Sequence, residues 1–226
     1  MNTPKIIAEL KNADIKQRDK VILKDVNFSI AEAEFCYLIG RTGTGKSSFL
    51  KTLFGANKLL KGEGNVAGHS INDLKPKSTA ALRRSIGMIF QDFALFEDWD
   101  VKENLAYVMR ATNWKNQSEI DRKIEELLKS VRLFDRKNDT VAELSGGEQQ
   151  RLAVARSIIN TPRLLIADEP TGNLDPQSAD EILYLIRDLT IKHKTATILA
   201  THDYRLIEKF PARVFRCEGG RMVEEG

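Results

Sequence analysis

Residues 40 to 47 read Gly-Arg-Thr-Gly-Thr-Gly-Lys-Ser, which matches the spacing GxxxxGK[ST] in full. Those residue types hold phosphates. Gly40, Gly43 and Gly45 let the backbone wrap an anion, with Arg41, Thr42 and Thr44 between them. Lys46 carries a cation to the terminal phosphates, and the Ser47 hydroxyl, followed by Ser48, is a ligand for Mg²⁺. A second anion site stands far downstream, where residues 144 to 151 read Leu-Ser-Gly-Gly-Glu-Gln-Gln-Arg. Ser145, Gly146 and Gly147 open an expected helix and leave several N–H groups unobstructed at its positive end. One nucleotide does not need two such loops from the same subunit. The pair makes sense if each subunit offers one loop to its own ATP and the other to its partner's, giving a homodimer with two ATP between its subunits.

The acidic side of the chemistry comes from residues 163–169. An apolar run, Leu164-Leu165-Ile166-Ala167, ends in Asp168-Glu169. In open α/β sheets ligands sit at the carboxyl ends of strands. Asp168 is therefore expected in the Mg²⁺ shell, and Glu169 as the group that orients, or takes a proton from, the attacking water. A buried strand rarely ends in two carboxylates without a partner cation. Gln91, Asp175 and His202 are weaker signals taken singly, since an isolated Gln, Asp or His is more often solvated or structural. Asp175, directly before Pro176, also suits a helix cap.

Their order gives them weight. The succession of phosphate loop, Gln91, Leu144–Arg151, Asp168-Glu169, Asp175 and His202 resembles the ATP-binding cassette (ABC) family, whose signature LSGGQ has here the variant LSGGEQQR. The resemblance implies an α/β fold of the P-loop NTPase type. Its features are a mostly parallel core sheet, an antiparallel N-terminal β region, and a helical lobe at about 92–150 inserted in a single RecA-like domain spanning 1–226. It further implies Lys46, Gln91, Glu169 and His202 as catalytic residues. Gln91 would sense Mg²⁺ and the γ-phosphate, His202 would contact that phosphate, and Asp175 would lie at the dimer interface.

The elements needed to place these residues are legible. Strand and helix patterns alternate, as in a largely parallel, covered sheet. Val26–Ile30 alternates, Phe35–Ile39 is an apolar run feeding the phosphate loop, and Lys46–Phe54 has a helical face. Ile86–Phe90 is a short buried strand ending at Gln91. From Asp92 to about Thr140 the pattern is helical, and Ser118 is the expected cap of a segment with Ile120, Ile124, Leu127, Leu128 and Val131 on one face. Leu152, Ala155, Ile158 and Ile159 continue the signature helix. Ala179, Ile182, Leu183, Ile186 and Leu189 are the buried face of the helix opened by Pro176. Thr195–Ala200 is a strand reaching His202, and Arg213–Val223 a hairpin turning at Glu218-Gly219-Gly220.

Composition narrows the class. The chain has 226 residues with 35 basic and 32 acidic side chains, a net charge of +3. So small an excess leaves no nucleic-acid footprint, and no nucleic-acid partner is expected. Cys36 and Cys217 fall in expected strands and read as buried, reduced thiols of a cytoplasmic protein. Met1-Asn2-Thr3-Pro4-Lys5 lacks the apolar run of a signal peptide. No stretch approaches the roughly 20 apolar residues that cross a bilayer. Any membrane action therefore needs a partner, which would hold this subunit on the inner face of the membrane. The segment from Gln91 to Leu144 is too short for coiled-coil arms. The single cassette and the few residues after His202 argue against twin-cassette or regulatory-tail relatives. Helices in 92–140 are then the docking lobe for an integral membrane subunit. Phe93, Leu95, Phe96, Trp99 and Val101 form either its exposed groove or the lobe's core.

Residues 168–175, Asp-Glu-Pro-Thr-Gly-Asn-Leu-Asp, resemble the branch of FtsE, LolD and MacB-type cassettes, whose membrane subunits transmit force to the periplasm. Ile89–Phe93 and Ala200–Asp203 are similar to the FtsE type, which implies an FtsX-like membrane subunit and control of peptidoglycan hydrolases during cell division. A lipoprotein or peptide exporter of the LolD or MacB type is the alternative. One departure stands out. Many members stack an aromatic on adenine about 25 residues before the phosphate loop, but residues 13–20 contain none. Phe28 belongs to a later strand, which leaves Lys16 or Arg18 to lie over the base through a cation–π contact.

Overall fold

The computed structural model describes residues 4–18 and 20–225. The reading of Met1–Thr3 as free of a leader lies outside the described residues, as do Asp19 and Gly226. The chain runs β1 (Ile6–Gln17), β2 (Lys20–Ala31), β3 (Phe35–Ile39), α1 (Lys46–Leu53), β4 (Leu59–Val66), β5 (His69–Ser70), α2 (Pro76–Arg84) and β6 (Ile86–Ile89). It continues through α3 (Val101–Ala111), α4 (Gln117–Ser130), α5 (Gly146–Ile158), β7 (Leu164–Asp168), α6 (Pro176–His193), β8 (Ala196–Ala200), α7 (Tyr204–Lys209), β9 (Arg213–Glu218) and β10 (Arg221–Glu225).

Two sheets result. One is four-stranded in the order β2-β1-β4-β5, and the other is six-stranded in the order β10-β9-β3-β8-β7-β6. The first is antiparallel throughout. In the second, β9, β3, β8, β7 and β6 are parallel neighbours, and only the β9–β10 hairpin is antiparallel. Parallel strands share a direction, so the ends of β3, β6, β7 and β8 lie along one edge. Gly40, Gln91, Asp168-Glu169 and His202 follow those ends. That is how residues more than 100 positions apart in the chain come together.

Burial explains the unbroken apolar runs. In β3, Cys36 and Leu38 join one cluster with the antiparallel sheet and α1, while Tyr37 and Ile39 join the other with α3, α4, α5 and α6. In β7, Leu164 and Ile166 face the first cluster, and Leu165 and Ala167 the second. A strand covered on both faces needs apolar residues at every position, whichever way its side chains alternate. Both cysteines are free and buried, and burial pushes the Cys217 thiol up to about 12. Phe28 is 4% exposed and packs edge-on against Phe49 and Phe215, with ring centroids 5.0 and 4.9 Å away.

The structure corrects three sequence expectations. The cap of α4 is Asn116, whose side chain accepts from the amides of Ser118 and Glu119, so Ser118 lies inside the first turn. The helical pattern starting at Asp92 is not helical until Val101. Residues 92–100 form a loop because Phe93 and Ala94 have φ of 56° and 52°, and Asp100 then caps α3 through the Glu103 amide. The third correction concerns the aromatic run, which divides. Val101 is core, Phe93, Leu95 and Trp99 are half-buried, and Phe96 is exposed. Phe96 stacks on Trp99 at 4.3 Å, and exposed Tyr107 packs edge-on against both.

Candidate active site

The loop between β3 and α1 is shaped by glycines that no other residue could replace. Gly40 has φ +144°, and a Cβ there would lie 2.5 Å from the Cys217 carbonyl oxygen. Gly45 has φ +110°, and a Cβ there would lie 2.9 Å from the Ile22 side chain. Left-handed backbone and close approach both favour glycine. With that path fixed, Lys46 is buried, and its Nζ donates to the Gly40 and Arg41 carbonyls at 2.7 and 3.3 Å.

Glu169 faces this cation. Its Oε1 is 3.6 Å from Lys46 Nζ, and its Oε2 is 3.0 Å from His202 Nδ1. Two features hold Glu169 there. Its amide donates to the Ala200 carbonyl at 3.0 Å, and its φ is 50°, in the left-handed region. A non-glycine residue in that region carries roughly 1–3 kcal/mol of strain, and such strain concentrates at functional sites. The neighbouring Asp168 carboxyl is raised above its ordinary value, chiefly by burial, while a hydrogen bond from Ser47 opposes the rise.

These groups line one cavity of about 370 Å³ together with Thr42, Gly43, Ser48, Lys51, Gln91, Gln17 and Ile22. The cavity therefore gathers the phosphate loop, Gln91 and both carboxylates. His202 lines a neighbouring cavity that shares Glu169 and extends past Thr171, Gly172 and Leu174. Its side chain is 65% exposed. The donor set suits Mg²⁺. A hydroxyl and one carboxylate at a phosphate site, with the remaining positions left to substrate and water, is the usual protein share for that ion.

Ser145, Gly146 and Gly147 are not part of that cavity. Ser145 caps α5 in a reciprocal box with Glu148: its amide and hydroxyl both reach Glu148 Oε2 at 2.8 Å. Those bonds, from the Ser145 backbone first, hold the Glu148 carboxyl below its ordinary value. The amides of Gly146 and Gly147, in the first turn, have no carbonyl four residues back within the helix. Their Cα positions lie beside Leu174 and Ser178. Asp175 sits between those two neighbours, and it caps α6 by accepting from the Gln177 and Ser178 amides at 3.0 Å each. The chain thus carries two separate clusters. One holds the phosphate loop, Gln91 and the carboxylates. The other holds the second glycine pair and Asp175.

Comparison with known proteins assigns the family. The model of the ABC transporter family matches residues 23–172. The chain belongs to that family. Members are ATPases, and this chain is an ATP-binding, ATP-hydrolysing subunit of that kind. It is 41% identical over 203 residues to the cell division ATP-binding protein FtsE of Streptococcus pneumoniae, covering 90% of this chain and 87% of the relative. It is 40% identical over 187 residues to the lipoprotein-releasing system ATP-binding protein LolD of Treponema denticola, covering 82% of each. Among solved structures it superposes on the ATP-binding cassette MJ0796, a dimer in a post-hydrolysis state bound to ADP and Pi. The TM-score there is 0.83 at 30% identity, covering 97% of this chain and 98% of that one.

The sequence did not point to Gln17, Ile22 or Lys51. Gln17 ends β1, where it pairs with Lys20, and that pairing carries β2 back so that Ile22 reaches the cavity. Strand register decides this, and no spacing in the chain encodes it. Lys16 and Arg18, expected near the base, are not among the lining residues, and the cavity has no aromatic. Asn173 was also missed; its Nδ2 donates to the Gln91 carbonyl at 3.2 Å.

Proposed function

We propose that this ATPase works as a head-to-tail homodimer with two ATP held between subunits, and that it drives an integral membrane subunit of the FtsX kind in cell division. The supporting observation is the separation of the two anion-binding clusters. Within one chain Gly146 and Gly147 are not among the residues lining the cavity that contains Lys46, and a facing copy would bring the two together. In this arrangement Lys46, Ser47 and the loop amides bind the triphosphate of their own subunit. Ser145, Gly146, Gly147 and Asp175 of the facing subunit close over it. When bound, Mg²⁺ neutralises phosphate charge beside Ser47, Asp168 and Gln91. The phosphates would draw Lys46 away from Glu169, whose carboxylate is then free to accept a proton from water, with His202 Nδ1 3.0 Å from its other oxygen.

The similarity to FtsE and the order of motifs support the cell-division reading. Among the described residues no helix is long and apolar enough to cross a membrane. A partner would therefore hold the subunit at the cytoplasmic face. The docking surface combines exposed Phe96 and Tyr107, packed about half-buried Trp99, with a groove of about 360 Å³ bordered by Phe54, Met88, Phe90, Arg83, Arg84 and Arg156. That groove has three guanidinium groups and no carboxylate among its lining residues. An amphipathic partner segment carrying acidic residues complements it. The similarity to LolD favours a second reading, the energy subunit of a lipoprotein exporter. Two measurements test these readings. Glu169→Gln should form a dimer in saturating Mg-ATP while turnover stops; a monomer under those conditions refutes the sandwich. The membrane protein that copurifies after detergent extraction should be of the FtsX kind, and capture of an export permease instead selects the second reading.

A further inference from the structure

We infer that Arg156 is a positioning residue for Gln91: it clamps the loop that follows Gln91 to the signature helix α5. Resting on the proposed role of Gln91 at the phosphate site, it adds a physical connection between the two anion-binding clusters. The Arg156 guanidinium spends its donors on backbone. One nitrogen donates to the Phe93 carbonyl at 3.0 Å, and the other to the Ala94 carbonyl. Those two residues are the consecutive left-handed pair, with φ of 56° and 52°. The Ala94 amide also closes back on the Asp92 carbonyl two residues earlier, the spacing of a γ-turn. This backbone is strained for a residue with a Cβ, and two such residues in succession call for support from their surroundings. A planar fork that binds two adjacent carbonyls supplies one. Half-burial of Arg156 strengthens the grip, since carbonyls replace lost water around the charge; burial is also the main cause that lowers its pKa, while Asp92 opposes it.

Gln91 is fixed on its other side as well, because Asn173, two residues before Asp175, donates to its carbonyl. The stretch from Gln91 to Ala94 is therefore held at one end by a side chain from the Asp175 loop and at the other by one from α5. Ser145 caps α5 eleven residues before Arg156, about 16 Å along the axis.

The test is steady-state ATP turnover of the full chain with variants at three positions. Gln91→Ala is expected to lower kcat. Arg156→Ala is expected to lower kcat about tenfold while leaving KM for ATP within about threefold, the split that marks lost alignment rather than lost binding. Adding Ala94→Gly should return the Arg156→Ala protein to within about threefold of wild-type kcat, because glycine adopts positive φ without a clamp. A purely structural role for Arg156 gives no such rescue. Arg156→Ala in the Gln91→Ala background should cost less than about twofold more, since the two act as one unit. Normal kcat for Gln91→Ala would remove the role of Gln91 and this inference with it. A slow Gln91→Ala beside a normal Arg156→Ala, or a failed glycine rescue, overturns Arg156 alone.

Discussion

Replacing Glu169 with glutamine should weaken the nucleotide-free protein by an amount the geometry fixes. Lys46 is buried, and beside this carboxylate its Nζ has the Gly40 and Arg41 carbonyls as hydrogen-bond partners. At the observed 3.6 Å, Coulomb attraction with an effective dielectric of about 20 is about 4–5 kcal/mol. Desolvation of both groups offsets much of that, and the glutamine dipole retains part, leaving a net loss of about 1–2 kcal/mol. The second contact, to His202, adds little because that imidazole is largely exposed. For a chain of this size the loss corresponds to a fall in Tm of about 2–8 °C. Thermal unfolding followed by circular dichroism without nucleotide measures it directly. In saturating Mg-ATP the triphosphate supplies Lys46 with negative charge, and the difference between the two proteins should shrink or reverse. Equal melting temperatures without nucleotide would show that the Lys46–Glu169 pair does not hold the empty site, and would refute the reasoning.

Three further outcomes follow from the same geometry. Asp168→Asn should raise Tm of the nucleotide-free protein at neutral pH while abolishing Mg²⁺-dependent turnover. Burial raises the Asp168 pKa, so the folded state binds the proton more tightly than the unfolded one; its contribution is favourable below the ordinary carboxylate range and is lost as pH rises. The gain in the variant should therefore vanish in acid, and a fall in neutral Tm would contradict it. Ser145→Ala should cost about 1 kcal/mol as a lost helix cap. Glu148 is held at a lowered pKa by Ser145, so the support from this box is present above the ordinary carboxylate range and fades as pH falls through the lowered value. A Ser145→Ala deficit that grows in acid would refute the box. Finally, the cavity offers Ile22 and Gln17 but no aromatic, so KM for ATP and GTP should agree within about threefold, and Gln17→Tyr should lower KM for ATP by about fivefold, the gain from roughly 1 kcal/mol of stacking. Strong adenine selectivity in the wild type would count against this arrangement of the base site.

The elements beneath the site were legible where burial made the pattern strong. Residues 164–167 are apolar at every position, and Ala196–Ala200 at every position but Thr197, because both faces are covered, and Pro176 with Asp175 marked the start of α6 by local chemistry alone. The site was legible where one residue type fits one task, as at Gly40, Gly45 and Lys46. Legibility failed where partners are non-local. The β4–β5 and α2 segments, residues 59–84, gave no decisive period. The loop 92–100 carries apolar spacing that resembles a helix, yet a guanidinium 62 residues away holds Ala94 in the left-handed region.

Sequence alone determined the fold class, the phosphate loop and the acidic strand end, because glycine freedom, a lysine cation and paired carboxylates act through local covalent geometry and charge. Tertiary structure alone decided that Glu169 lies between Lys46 and His202, that Gly146 and Gly147 are not among the residues lining the cavity, and that Ile22 and Gln17 are. Those facts depend on which strands are neighbours and in what register. Pairing energies summed over the whole sheet set that arrangement, and no short stretch of residues contains it.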